Sequence, residues 1–142
     1  MTALATGKNT VRFGALGEDS PSQMGVKANV VIHAGAAVVN DGGVAAPART
    51  ATGLITLGVA RRKYDNTGGA ANALTAEFDH GDFLFVNDGG DPVVAADVGA
   101  DSYWTDDQTV SHTATGKSRA GKVIAVNPPG YTGVVVRVGT GR

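Results

Sequence analysis

The nearest approach to a chemical motif is Gly116-Lys117-Ser118-Arg119-Ala120-Gly121-Lys122-Val123. Its Gly and Gly-Lys spacing is that of a loop cradling phosphates on backbone N–H groups. Such a loop needs Ser or Thr in the final position to ligate magnesium, and Val123 stands there. It must also open a helix, whereas Val123-Ile124-Ala125-Val126 reads as a strand. His33, His80 and His112 fall in unrelated turns or strand ends, without the clustered spacing of zinc ligands. Asp88, Asp91, Asp106 and Asp107 are turn carboxylates; a calcium loop needs alternating oxygens and a later glutamate, and the only glutamates are Glu18 and Glu77. There is no Gly-x-Ser-x-Gly elbow for a serine nucleophile. Without cysteine, disulfides and thiolate metal sites are excluded. No catalytic, cofactor-binding or metal residue is therefore assigned, and the chain is not read as an enzyme. Arg61-Arg62-Lys63 could meet an acidic partner, although short charge runs usually cover a solvated face.

The elements around these residues are strands. There are 21 glycines, many Ala, Val and Thr, and only 18% charged residues. Glycine serves turns, and Val and Thr favour pleated surfaces. The stretch Asp97–Val126 reads as strand, tight turn, strand, loop, strand, with the sole tryptophan, Trp104, beside Tyr103 and followed by the acidic turn Asp106-Asp107-Gln108. One of Tyr103 and Trp104 should anchor the core or a subunit interface, because neighbours on a strand face opposite ways. Upstream, a strand is predicted over Gly25–His33, with Val26, Ala28, Val30 and Ile32 on one face. Core strands are predicted at Leu54–Ala60 and Phe83–Val86, and a last one at Gly133–Val138. Tyr64–Asn72 reads as a flexible surface loop, and Pro92–Ala100 is the best helical candidate. Asn-Asp-Gly-Gly occurs at 40–43 and again at 87–90, which is read as recurrent turn chemistry rather than internal duplication.

Residues 1–23 are polar and rich in Gly, Ser and Thr. They are expected to form an extended N-terminal arm ahead of a domain at 24–142. Val11, Arg12, Phe13 and Leu16 are its candidate partner-binding residues, since Thr10-Val11-Arg12-Phe13 alternates as an added strand would. So little apolar area predicts an arm that orders only against a neighbouring subunit or a larger surface.

At 142 residues the chain is one domain in size. A formal net charge of −1 argues against direct nucleic-acid binding. No apolar run approaches the ~20 residues of a membrane span. The first residues lack the apolar core of a signal peptide, so synthesis in a cytoplasm is expected.

From Ala28 onward the order of signals resembles the small phage capsid cement, or head decoration, proteins. The residues carrying the likeness are Ala34-Gly35-Ala36-Ala37-Val38, Gly58-Val59-Ala60, Gly81-Asp82-Phe83-Leu84-Phe85-Val86, Val98-Gly99 before Tyr103-Trp104, and Ala120-Gly121-Lys122-Val123-Ile124-Ala125. The likeness spans about residues 26–138, and the chain departs from the pattern in its polar arm and in the 64–72 loop. The resemblance implies an all-β, compact β-barrel-like (β-tulip) domain without catalysis. It implies a homo-oligomer, a trimer favoured over a dimer, on the outer capsid surface of a virion made in the bacterial host cytoplasm. Its partner there would be the major capsid protein, whose subunits it would clamp together. The alternative is a carbohydrate- or surface-binding module using exposed Tyr64, Tyr103, Trp104 and Tyr131. A small barrel enzyme ranks third, for want of a nucleophile or metal set.

Overall fold

The computed structural model describes residues 2–14 and 22–139. Its strands are β1 (Arg12–Gly14), β2 (Ser22–Gly25), β3 (Val31–Ile32), β4 (Ala37–Asp41), β5 (Val44–Pro47), β6 (Ile55–Ala60) and β7 (Tyr64–Asp65). They continue with β8 (Thr75–Asp79), β9 (Gly81–Asn87), β10 (Asp101–Trp104), β11 (Thr109–Ser111), β12 (Arg119–Val126) and β13 (Val134–Val138). The helical content of the described residues is one 3-10 turn, Ala95–Asp97. The chain is all-β, as its Gly-, Val- and Thr-rich composition predicts.

Five strands close on themselves in the order β9-β11-β10-β12-β13, with β13 returning to β9. The closing seam runs antiparallel from Val134↔Phe85 to Val138↔Gly81. The other edge of β9 is shared: β11 pairs parallel at Val86 and Asn87, and β1 pairs antiparallel at Asp82 and Phe83. A second sheet runs β2-β8-β6-β4-β5, and β3 and β7 form a separate two-stranded ribbon.

Strand periodicity divides the apolar residues between two cores. Ala37, Val39 and Val59 face the barrel and pack with Phe83, Phe85, Trp104, Val110, Val134 and Val136. Val38, Leu57 and Ala60 point the other way and pack with Val26, Ile32, Tyr64 and Phe78. The second sheet is thus buried on both faces at its centre, which is why β4 and β6 read as continuous apolar runs.

Two sequence expectations are corrected. Gly25–His33 is not one strand: Asn29 adopts φ 56°, which a strand cannot contain, and splits it into β2 and β3. Ala28, placed on the core face by strict alternation, is exposed in that turn. The 64–72 segment is not simply a surface loop, because Tyr64 is buried in β7 and Asn66 is buried beneath it. The Asn66 amide donates to the carbonyls of Lys27 and Ala70, so the loop is pinned from inside.

The two Asn-Asp-Gly-Gly segments do different work. At 40–43 they turn the β4–β5 hairpin, with Gly42 and Gly43 at φ 66° and 105°. At 87–90 neither glycine is left-handed; instead Asn87 exchanges two hydrogen bonds with the Val93 backbone, each 2.8 Å, to start a long excursion to β10.

Candidate functional site

The acidic turn between β10 and β11 holds the N-terminal segment. Asp107 Oδ1 accepts the Leu4 N–H at 2.9 Å. Gln108 donates to the Thr2 carbonyl at 2.7 Å and accepts from Lys8 Nζ at 3.2 Å. Further on, the Lys8 N–H donates to the Ala34 carbonyl at 2.9 Å, and the Thr10 hydroxyl donates to the Gly35 carbonyl. The Leu84 N–H then donates to the Val11 carbonyl at 2.7 Å, where β1 joins β9. This corrects the expectation that the arm orders only against another molecule: residues 2–14 lie on their own chain. The sequence reading weighed apolar area alone, and the hydrogen-bond partners that offset the ordering entropy sit about a hundred residues away.

Of the predicted partner-binding residues, Val11 is half-buried and engaged through its carbonyl. Arg12 is exposed, its guanidinium 4.8 Å from the Phe83 ring centroid and 3.9 Å from Asp79. Phe13 lies in β1, and Leu16 lies outside the described residues. Trp104 is fully buried and meets Phe85 edge-to-face at 5.0 Å. Tyr103 faces the opposite way and is half-buried. Trp104 is therefore a core anchor of this chain. Tyr64 is also buried, its hydroxyl accepting the Glu77 N–H at 2.9 Å, while Tyr131 is 47% exposed. The four aromatics do not form one exposed platform.

The motif residues have partners of their own. Lys117 Nζ donates to Ser111 Oγ at 2.8 Å, and Arg119 pairs with Asp101 at 2.8 Å. His80 Nε2 sits 2.6 Å from Ser22 Oγ, and His112 Nδ1 sits 2.9 Å from Asp97. No group of three or more His, Asp or Glu among the described residues is placed to hold a metal. Burial pushes the Asp107 carboxyl above its usual range; the Leu4 N–H opposes this and neighbouring Asp106 adds to it. Burial also pulls the Lys8 ammonium down, against the attraction of Asp107 and Asp106.

Two surface features escaped the sequence. One is the stretch from Pro92 to Ala100. Val94 and Val98 are 48% and 50% exposed there, and Ala95, Ala96 and Ala100 are exposed with them. This is not the helix expected: one 3-10 turn is closed by the Val94 N–H donating to Asp97 Oδ2 at 2.9 Å. That bond first, then His112, holds the Asp97 carboxyl below its usual range. The available signal was a small-apolar run with neither helical nor strand period. The other feature is a cleft of 640 Å³ between the N-terminal segment and the ends of β6 and β8.

Comparison with protein-family models, with curated proteins and with solved structures finds no match.

Proposed function

We propose that this chain is a bacteriophage capsid decoration protein, a non-catalytic cement on the outer surface of the head that clamps neighbouring major capsid subunits. The observation that carries the reading is the exposed apolar stretch around Val94 and Val98. We assign this run of exposed small apolar residues the role of attachment site. The motif series that resembles the decoration proteins supports it from the sequence side, and its members fall on or beside β4, β6, β9, β10 and β12 of this fold. Many identical copies on a lattice make a modest contact sufficient. A net charge of −1 leaves little repulsion between close-packed copies. The proposed assembly is a homotrimer, with a dimer as the alternative.

The test uses heads of the encoding phage from which this protein has been stripped or deleted. The full chain is expected to co-sediment with those heads and to raise their resistance to heat. Val94→Asp with Val98→Asp is expected to stay folded and remain in the supernatant. Sedimentation equilibrium of the free protein reads the oligomer. Failure of the unmodified chain to bind the heads overturns the proposal.

A further inference from the structure

We infer that the cleft between the N-terminal segment and the ends of β6 and β8 is a binding site for an acidic extended peptide segment of a protein partner. The cleft brings together cations that are far apart in the chain. Lys8 and Arg12 come from the N-terminal segment, and Arg61 and Arg62 follow β6. Four of the 12 basic residues thus line one cleft of a chain whose net charge is −1, and Asp79 is the one carboxylate lining it among the described residues. Beneath them lie Gly35, Val59, Ala60 and Phe83, all buried, so the surface the cleft offers is mainly that of its polar rim.

The three arginines are positioned and only partly neutralised, while the Lys8 ammonium is engaged by Gln108 and the acidic Asp106-Asp107 turn. Asp79 is shared, 3.0 Å from Arg61 Nε and 3.9 Å from Arg12. Arg62 reaches Glu77 at only 3.7 Å and keeps 63% of its side chain exposed. Arg12 is steadied on the Phe83 ring at 4.8 Å, a contact that orders a guanidinium while leaving its edge free to donate. Planar guanidinium edges fit carboxylates in pairs. An arginine rim of this kind matches a segment carrying several carboxylates. Nucleic acid fits less well, because single strands are held on exposed aromatic faces. Phe83, the aromatic of this cleft, is 4% exposed and carries Arg12 over it. The inference is independent of the capsid reading, since it concerns the chemistry of the occupant and not the body that bears it.

The experiment titrates the full chain with a fluorescent peptide of alternating glutamate and serine, with a lysine–serine peptide and a single-stranded oligonucleotide as comparisons. Backbone amide shifts locate the site. The acidic peptide is expected to bind, to weaken with salt, and to shift the amides of Gly35, Ala60 and Arg61. Arg61→Gln with Arg62→Gln is expected to keep its melting temperature and lose about fivefold or more in affinity, the scale of two exposed ion pairs. Arg62→Glu alone, at the more exposed position, serves if the double variant is unstable. No binding, unchanged affinity in the variants, shifts elsewhere, or tighter binding of the oligonucleotide would each overturn the assignment.

Discussion

The indole N–H of Trp104 donates to Thr56 Oγ1 at 2.8 Å, joining β10 of the barrel to β6 of the second sheet. Thr56 passes the bond on, donating to the Arg119 carbonyl of β12 at 2.8 Å. One hydroxyl therefore satisfies two groups buried where the sheets meet. Thr56→Val keeps the shape and strands both, so it is expected to cost about 1–3 kcal/mol by denaturant titration. Trp104→Ala removes the largest fully buried side chain and is expected to cost about 3–5 kcal/mol. Emission from folded wild type should be blue-shifted and poorly quenched by iodide. Red-shifted emission would contradict burial.

Gly121 is required by proximity rather than by φ. A Cβ there would sit 2.0 Å from the Arg137 carbonyl oxygen across the β12–β13 pair. Gly121→Ala is expected to lose about 1–3 kcal/mol, the usual cost of overpacking. Gly89→Ala meets open space and should change stability by less than about 0.5 kcal/mol. Equal losses for the two would disprove the assignment.

Asp107 sets a pH dependence of unusual sign. Its carboxyl is raised by burial, so the folded state holds the proton more tightly than the unfolded state does. The ionised form is a cost at neutral pH, relieved as pH falls through the raised folded value. In the Asp107→Asn variant the amide oxygen would still accept the Leu4 N–H, without the charge. Asp107→Asn is expected to melt higher than wild type at pH 7, with the advantage shrinking towards pH 4. Asp97 and Asp88 run the other way. Their carboxyls are lowered, chiefly by the N–H groups of Val94 and Gly90, so their contribution is full above the ordinary carboxylate range and lost on acidification.

Removing residues 2–11 takes away the Val11 carbonyl and the contacts to Asp107 and Gln108. The barrel seam between β9 and β13 is untouched. Hydrogen exchange at Leu84 is expected to accelerate by more than about tenfold while Val135 keeps its protection, the pattern of a local loss. Unchanged protection at Leu84 would show that the segment contributes nothing to that edge.

The strands were largely legible because period-2 burial is written into Phe83–Val86, and burial on both faces into the continuous apolar run Val134–Val136. The all-β class followed from the same runs. Asn29 was not, since one left-handed residue reverses the face of everything after it and leaves no apolar signature. Tyr64 and Asn66 were misplaced because a polar, Gly-flanked segment looks solvated until its buried acceptors, the Lys27 and Ala70 carbonyls, are known. The basic cleft was half visible as Arg61-Arg62; Lys8 and Arg12 join it only through the pairing of β1 with β9.

The barrel closes between β9 and β13, the last of the described strands to be synthesised. On a ribosome, β9 must therefore wait with that edge unpaired while the whole of β10–β12 emerges. An unpaired strand carrying Phe83, Leu84, Phe85 and Val86 is a nucleus for association between nascent chains. β1 is made first and covers Asp82 and Phe83 on the opposite edge of β9, while Val86 and Asn87 on that edge wait for β11. Crowded translation of this chain should thus be most hazardous just before Val134–Val138 is released, and shortening the C-terminus through that strand should convert a soluble product into an aggregating one.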